Sequence, residues 1–229
     1  MIDPLSVREA AQRLAVSPVA VRQQIAGGRL PAIKRGRDWW VDPRAVERMR
    51  RLPARSGRPL SASLAWAVLL LASGDEEAAD RVVQHPRYRT RARAWLREHA
   101  LSEAAPRLRA RAVLEDFDAH PSELRRIAAR PDVLLTGASA GAVVRLVGKP
   151  SAVEVYASAG RREAMMQRHA LTPGSGPVRI RWVADEIWNA LRANGEKRAP
   201  RSAVLLDLLE SDEPRARREA VRALASLRS

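Results

Sequence analysis

Ser6 to Asp42 reads SVREAAQRLAVSPVAVRQQIAGGRLPAIKRGRDWWVD, and the punctuation of this stretch decides the fold of the N-terminal end. Ser6 and Glu9 form a capping box, in which the serine hydroxyl and the glutamate carboxylate satisfy each other's backbone N–H groups. Val7, Ala10, Ala11 and Leu14 then fall at helical spacing. After the short turn Ala15-Val16-Ser17, Ser17 serves as a second N-cap and Pro18 takes the first helical position. Val21 and Ile25 mark the buried face of this second helix, and Gly27-Gly28 stops it. Two strand-like runs, Leu30 to Arg35 and Asp38 to Val41, flank Gly36-Arg37 as a hairpin or wing. Asp42-Pro43 opens a further helix over 44–52.

Helix, turn, helix, wing and helix, in that order over roughly residues 4–52, resemble the excisionase/MerR-like winged helix-turn-helix. The resemblance implies that the second helix enters the major groove of double-stranded DNA. Its exposed positions are then Ser17, Val19, Ala20, Arg22, Gln23 and Gln24. Arg22 suits a bidentate contact to guanine, and Gln23 or Gln24 one to adenine. Lys34, Arg35 and Arg37 of the wing are expected on phosphates or in the minor groove. Neighbours on a strand point to opposite faces, so Trp39 and Trp40 cannot both be core. Trp39 is expected inward beside Val41. Trp40 is expected outward, covering the hairpin or lying against a DNA sugar. The alternative for the whole unit is a protein-interaction module with a solvated basic face.

Charge supports a polyanionic partner. The net charge of +15 is divided unevenly. Residues 1–60 carry 13 Lys/Arg against 5 Asp/Glu, residues 61–120 carry 9 of each, and residues 121–229 carry 19 against 12. Most of the cations are arginines in an alanine-rich chain, a bias that codon usage also produces. With no cysteine, disulfides, zinc–thiolate sites and cysteine nucleophiles are excluded. His85, His99, His120 and His169 are scattered, so neither a metal site nor a cofactor is expected. Asp3 and Glu9 interrupt the N-terminus and the apolar run 64–72 is too short to span a bilayer, so a cytoplasmic protein without membrane contact is expected.

Residues 53–63 read as a linker rich in Pro, Gly and Arg, and residues 64–112 as a helical connecting region offering a surface for a homodimer. Within it the pattern predicts a helix from Glu76 to about Ala100, bent at Pro86, and another from Glu103 to about Ala112. Trp66 and Trp95 are expected as core. Residues 113–229 alternate short apolar runs with helical patterns, as in a small α/β domain. Strands are expected at 113–119, 133–136, 153–157 and 178–183. Helices are expected over 122–129 with Ser122 as N-cap, and over 139–147, 161–169, 203–209 and 213–227. The fold class of the whole chain is α+β.

Thr136-Gly137-Ala138-Ser139-Ala140-Gly141 invites three chemical readings. As G-x-S-x-G it would be a serine-hydrolase elbow at Ser139, but the acid and histidine do not follow in the required order. As a phosphate cradle it lacks G-x-G-x-x-G and a Walker lysine. As a nucleotidyltransferase site it lacks a carboxylate to pair with Glu154. Small residues that let a helix pack closely on a strand suffice to explain it.

The stretches LLTGASAGAVVRL, VEVYAS, VRIRWVADEIW and AVLLDLLESDEPRARREAVRAL resemble the C-terminal domain of AbiEi-type antitoxins of type IV toxin–antitoxin systems. That resemblance implies a non-enzymatic repressor that binds its own promoter through the winged helix, with a basic C-terminal domain that adds DNA contacts or antagonises a nucleotidyltransferase toxin. The alternatives are a stand-alone regulator or excisionase-like architectural protein without a toxin, and a serine hydrolase centred on Ser139.

Overall fold

The hydroxyl of Ser6 accepts the backbone N–H of Glu9 at 3.2 Å while the Glu9 carboxylate accepts the N–H of Ser6 at 2.8 Å, so the first helix starts where the capping box places it. The computed structural model describes residues 4–26, 30–51, 58–141, 152–211 and 213–227, with the side chains of residues 48 and 51 left aside. It is an α+β structure. Strand β1 (Leu5–Ser6), helices α1 (Val7–Leu14) and α2 (Pro18–Ala26), strands β2 (Ala32–Arg35) and β3 (Asp38–Val41) and helix α3 (Pro43–Arg51) build the N-terminal unit. Its sheet has the order β1-β3-β2, antiparallel throughout. Leu5, Val7, Ala10, Ala11, Val21, Leu30, Val41, Ala45 and Val46 form a core of its own.

Four helices follow: α4 (Ala62–Ala72), α5 (Glu76–Val82), α6 (Pro86–Glu98) and α7 (Leu101–Ala104), with a 3₁₀ segment at Ala105–Arg111. The bent helix expected over 76–100 is two helices. Pro86 has no N–H to continue α5, but it fits the first position of α6, where the His85 ring accepts the N–H of Arg87. The helix expected over 103–112 is one turn of α7 and the 3₁₀ segment, which has Pro106 near its start. Trp66 and Trp95 are buried, as expected. Of the linker expected at 53–63, residues 53–57 lie outside the described residues, 58–61 are irregular and 62–63 already begin α4, where Ser61 is the N-cap.

Strands β4 (Val113–Asp118), β5 (Leu134–Leu135), β6 (Val153–Ser158), β7 (Thr172–Pro173) and β8 (Val178–Val183) form a second sheet in the order β5-β6-β8-β4-β7. Only the β6–β8 pair among them is parallel. Helices α8 (Pro121–Ala128), α9 (Arg162–Arg168), α10 (Asp185–Arg192), α11 (Arg201–Leu209) and α12 (Pro214–Ser226) complete the chain. Helix α8 is capped by His120 with Pro121 at its first position, not by Ser122. Helix α10 is not among the elements expected from the pattern. Of the helix expected over 139–147, residues 139–140 end a 3₁₀ turn at Gly137–Ala140 and residues 142–147 lie outside the described residues.

Period-two alternation gives the second sheet two unlike faces. Val153, Val155, Ala157, Val178, Ile180 and Trp182 pack on Phe117, Ile127 of α8 and Met165 of α9. The opposite face carries Glu154, Tyr156, Arg179 and Arg181, all but Arg179 buried, beneath α4 and α11. Segment 64–112, expected to connect the two basic ends and offer a homodimer surface, supplies α4 and its neighbours to a core shared with α10, α11 and α12. Helix α4 is buried almost all round, which its apolar circumference requires. Trp66 donates from Nε1 to the Arg111 carbonyl at 2.8 Å and meets the Tyr156 ring edge-on at 5.2 Å. No helix among the described residues is long and apolar enough to cross a membrane.

Between the sheet and α11 lies a buried ionic network centred on Asp207. Its Oδ1 accepts Arg111 Nη2 at 2.5 Å, Arg181 Nε at 3.0 Å and the Tyr156 hydroxyl at 3.1 Å, and its Oδ2 accepts the Thr136 hydroxyl. Arg181 also reaches Glu210 at 2.9 Å and Glu154 at 3.3 Å, and Arg179 reaches Asp116 at 2.9 Å. Burial alone would lower the pKa of Arg111 and Arg181, but Asp207 and Glu210 outweigh it and hold both above the ordinary arginine value. Burial pushes the Tyr156 phenol up, which keeps it protonated as a donor. Breaking such a pair from one side strands an uncompensated charge. Asp207→Ala is therefore expected to destabilise the protein by about 3–5 kcal/mol in urea unfolding. Arg222→Ala, which removes an exposed pair with Glu219 on α12, should stay within about 0.5 kcal/mol of the parent.

Candidate nucleic-acid interface

The turn between α1 and α2 is fixed at both ends. Ala15 closes α1 in the left-handed conformation at φ 53°, its N–H shared between the carbonyls of Ala11 and Gln12. Ser17 opens α2 by accepting the Ala20 N–H at 3.1 Å. With Val21 buried, the opposite face of α2 presents Val19, Arg22, Gln23 and Ala26, all exposed. These lie at positions i, i+3, i+4 and i+7, one stripe along the helix. Ser17 and Pro18 are exposed at its N-terminal end and Ala20 is half-buried at its edge. Val19 is 58% exposed, an apolar group of the kind that meets a thymine methyl.

Gln24 does not join this stripe. It is half-buried, and its Oε1 is enclosed without a partner among the described residues. Three residues beyond Val21, it is drawn to the core edge, so only Gln23 of the glutamine pair faces outward. Ala26 belongs to the stripe but is absent from the sequence reading, because the glycine stop directs attention to the helix end.

Pairing register sorts the wing residues. Trp39 lies opposite Lys34, and Val41 opposite Ala32 and Leu5, on the face that packs on the N-terminal core. Trp40 lies opposite Ile33 and Ser6, and Asp38 opposite Arg35, on the outer face. Trp39 therefore points inward and Trp40 outward, each half-buried. The Lys34 ammonium sits 5.9 Å from the Trp39 ring centroid, a cation–π contact that holds it near the wing tip. Gly36 has φ +62° at the first central position of the two-residue turn, where the hairpin needs glycine, and Arg37 follows it. Lys34, Arg35 and Arg37 are all exposed, but on different sides of the wing.

The electrostatics of the unit follow from how its acids are used. Glu9 is held by Ser6, Asp42 accepts the Arg44 N–H at 2.9 Å as N-cap of α3, and Glu47 pairs with Arg50 at 2.9 Å. Arg22, Arg35 and Arg37 have no carboxylate partner among the described residues. Glu9 and Asp42 are engaged at helix starts, whereas Asp38 is exposed opposite Arg35 on the outer face of the wing.

At Gly137–Ala140 the chemistry is local. The Ser139 hydroxyl accepts the Glu154 N–H at 2.9 Å, and a Cβ on Gly137 would come within 2.7 Å of the Glu154 carboxylate carbon. Small residues are required because this turn lies against Glu154. Among the described residues, no three His, Asp or Glu side chains stand together as metal ligands.

Residues 4–51 match the family model described as a helix-turn-helix domain. No curated protein and no solved structure matches the chain. The N-terminal unit is a DNA-binding helix-turn-helix domain, in keeping with the excisionase-like order of its parts.

The capping box gives this domain a pH signature. Hydrogen bonds from the backbone and side chain of Ser6, with Arg13 nearby, hold the Glu9 carboxyl below its ordinary pKa. A depressed carboxylate stabilises the fold above its unfolded pKa, and that contribution disappears as pH falls through the folded value. The stability gap between the parent and Glu9→Gln in thermal melts should be widest near neutral pH and close as the solution is acidified. Ser6→Ala should cost about 1 kcal/mol at neutral pH.

Proposed function

We propose that the protein is a transcriptional regulator that reads duplex DNA with the α2 stripe in the major groove and steadies it with the wing. The observation that carries this is an exposed Arg22–Gln23 face together with a wing whose cations form no ion pair among the described residues. Arg22 forks onto guanine O6 and N7, Gln23 onto adenine N6 and N7, and Val19 packs on a thymine methyl. Lys34, Arg35 and Arg37 meet phosphates, which set register and orientation without reading bases. Trp40, between Ile33 and Ser6 on the outer face, covers the hairpin and is a secondary contact at most.

We further propose that it acts without catalysis, in the cytoplasm, as an antitoxin that represses its own promoter and antagonises a nucleotidyltransferase toxin. The support is the resemblance of the back half to AbiEi-type antitoxins. Co-expression with the product of a neighbouring nucleotidyltransferase-like gene tests it: rescue of growth is expected, and no rescue leaves a stand-alone regulator or architectural DNA-binding protein. A homodimer fits an inverted-repeat operator, and sedimentation on such a site checks it.

In gel-shift titrations on a selected operator, Arg22→Ala is expected to cost about 1–3 kcal/mol and relax preference at one base pair. Lys34→Ala and Arg37→Ala should weaken all sequences alike, each reducing the slope of log K against log salt by about 1. Gln24→Ala should leave base preference unchanged. If Arg22→Ala weakens every sequence equally, α2 is not the reading helix.

A further inference from the structure

Arg161, the residue before α9, and Ala164, Met165 and Arg168 of α9 line a hollow of about 490 Å³ that Arg130 closes from the loop after α8. Arg161 and Arg168 stand at the two ends of α9, the first as its N-cap and the second as its last residue. Ala164 between them is small enough to leave the hollow open, and Gln167 stands at its rim.

Arg130 is fixed rather than merely present. Its Nε and Nη2 grip both oxygens of Asp132 at 2.7 and 2.6 Å, and its Nη1 contacts His169 Nε2 at 3.1 Å. His169 is buried, and its Nδ1 contacts Glu123 at 2.7 Å. With Nδ1–H donating to Glu123 and Nε2 accepting from Arg130, the ring passes the anchor of α8 on to the guanidinium. Asp132 is shared, since Arg161 also approaches it at 3.6 Å. Arg161 remains 66% exposed, and Arg168 has no hydrogen-bonding or ionic partner among the described residues. Three guanidinium groups thus surround one hollow, with Asp132 between Arg130 and Arg161 and Asp185 near Arg161, so the cations still outnumber the carboxylates.

We infer that this hollow is a binding site for the phosphate group of a small phosphorylated compound. Guanidinium forks match phosphate oxygens in pairs, and a phosphate monoester carries nearly two negative charges at neutral pH, which suits a hollow where cations outnumber carboxylates. The volume lies in the range of small-molecule sites. Ala164 and the buried Met165 add an apolar wall, which the non-phosphate part of a compact ligand uses and a nucleic-acid backbone running past does not. The site is independent of the helix-turn-helix domain.

Calorimetric titration of the full chain with pyrophosphate tests the inference. Saturable binding is expected, weakened at least about tenfold by Arg161→Ala and by Arg168→Ala. Both replace exposed side chains, and unchanged melting curves show that the fold is kept. Arg22→Ala in the helix-turn-helix domain should bind pyrophosphate as the parent does. The inference is overturned if pyrophosphate fails to saturate at millimolar concentration, or if Arg22→Ala abolishes binding while the α9 variants keep it. It is also overturned if the α9 variants keep their pyrophosphate affinity and show only a shallower salt dependence with duplex DNA, which would place these arginines on the nucleic-acid backbone.

Discussion

Asp207 has no exposed surface and holds two guanidiniums, a phenol and a hydroxyl from four separate stretches of chain. Each partner needs the others. Arg111 comes from the end of the 3₁₀ segment, Arg181 and Tyr156 from neighbouring parallel strands, and Thr136 from the turn after β5. An ion pair taken out of water recovers its desolvation cost only when every lone pair and proton is matched. The helical layer therefore cannot slide over the sheet without stranding a charge. Hydrophobic contact between α4 and the sheet supplies adhesion but little register, and the network supplies the register that apolar packing lacks.

This constraint also explains which parts of the chain could be read in advance. The N-terminal unit is written in local signals: Ser6 with Glu9, Ser17 before Pro18, Gly36 in the wing, Asp42 before Pro43. Each acts within a few residues of itself, so no knowledge of distant chain is needed, and the order of elements follows. The back half is decided by partners far apart in sequence. VRIRWV alternates as though Arg179 and Arg181 faced water, but carboxylates from β4, β6 and α11 cover that face. The available clue was Asp207 itself, a lone carboxylate in the apolar run AVLLDLL. A charge there either points outward or has a buried counter-ion, and only the fold decides between them. The prolines were legible as punctuation. What they did to their neighbours was less so, because His85 and His120 are uncommon caps and Pro86 separates two helices where a bend was expected.

Legibility of the candidate interface divides in the same way. Helical periodicity placed Val19, Arg22 and Gln23 on the outward stripe, but it put Gln24 there as well. Whether a residue at the edge of a stripe faces groove or core depends on the neighbouring helices and strands, which a helical wheel omits. On the wing, the alternation of a strand sufficed to separate Trp39 from Trp40. It also separates Lys34 from Arg35, so the three wing cations do not form one patch but line different sides of a narrow hairpin.

Net charge predicts a partner only after the structure has taken its share. Of 41 cations, Arg111 and Arg181 are buried and Arg179 nearly so, all three against carboxylates, and are lost to any ligand. Arg89 and Arg93 of α6 are held by Glu76, and Arg89 also by Asp80. The positive charge left available is concentrated where acids serve as caps or are outnumbered: on α2 and the wing, where Glu9 and Asp42 are committed to helix starts, and at the hollow beside α9, where Arg130, Arg161 and Arg168 outnumber the nearby aspartates. Regions of equal basicity in sequence therefore differ in what they can bind, because a carboxylate spent on a cap or a buried pair cannot neutralise an exposed arginine elsewhere.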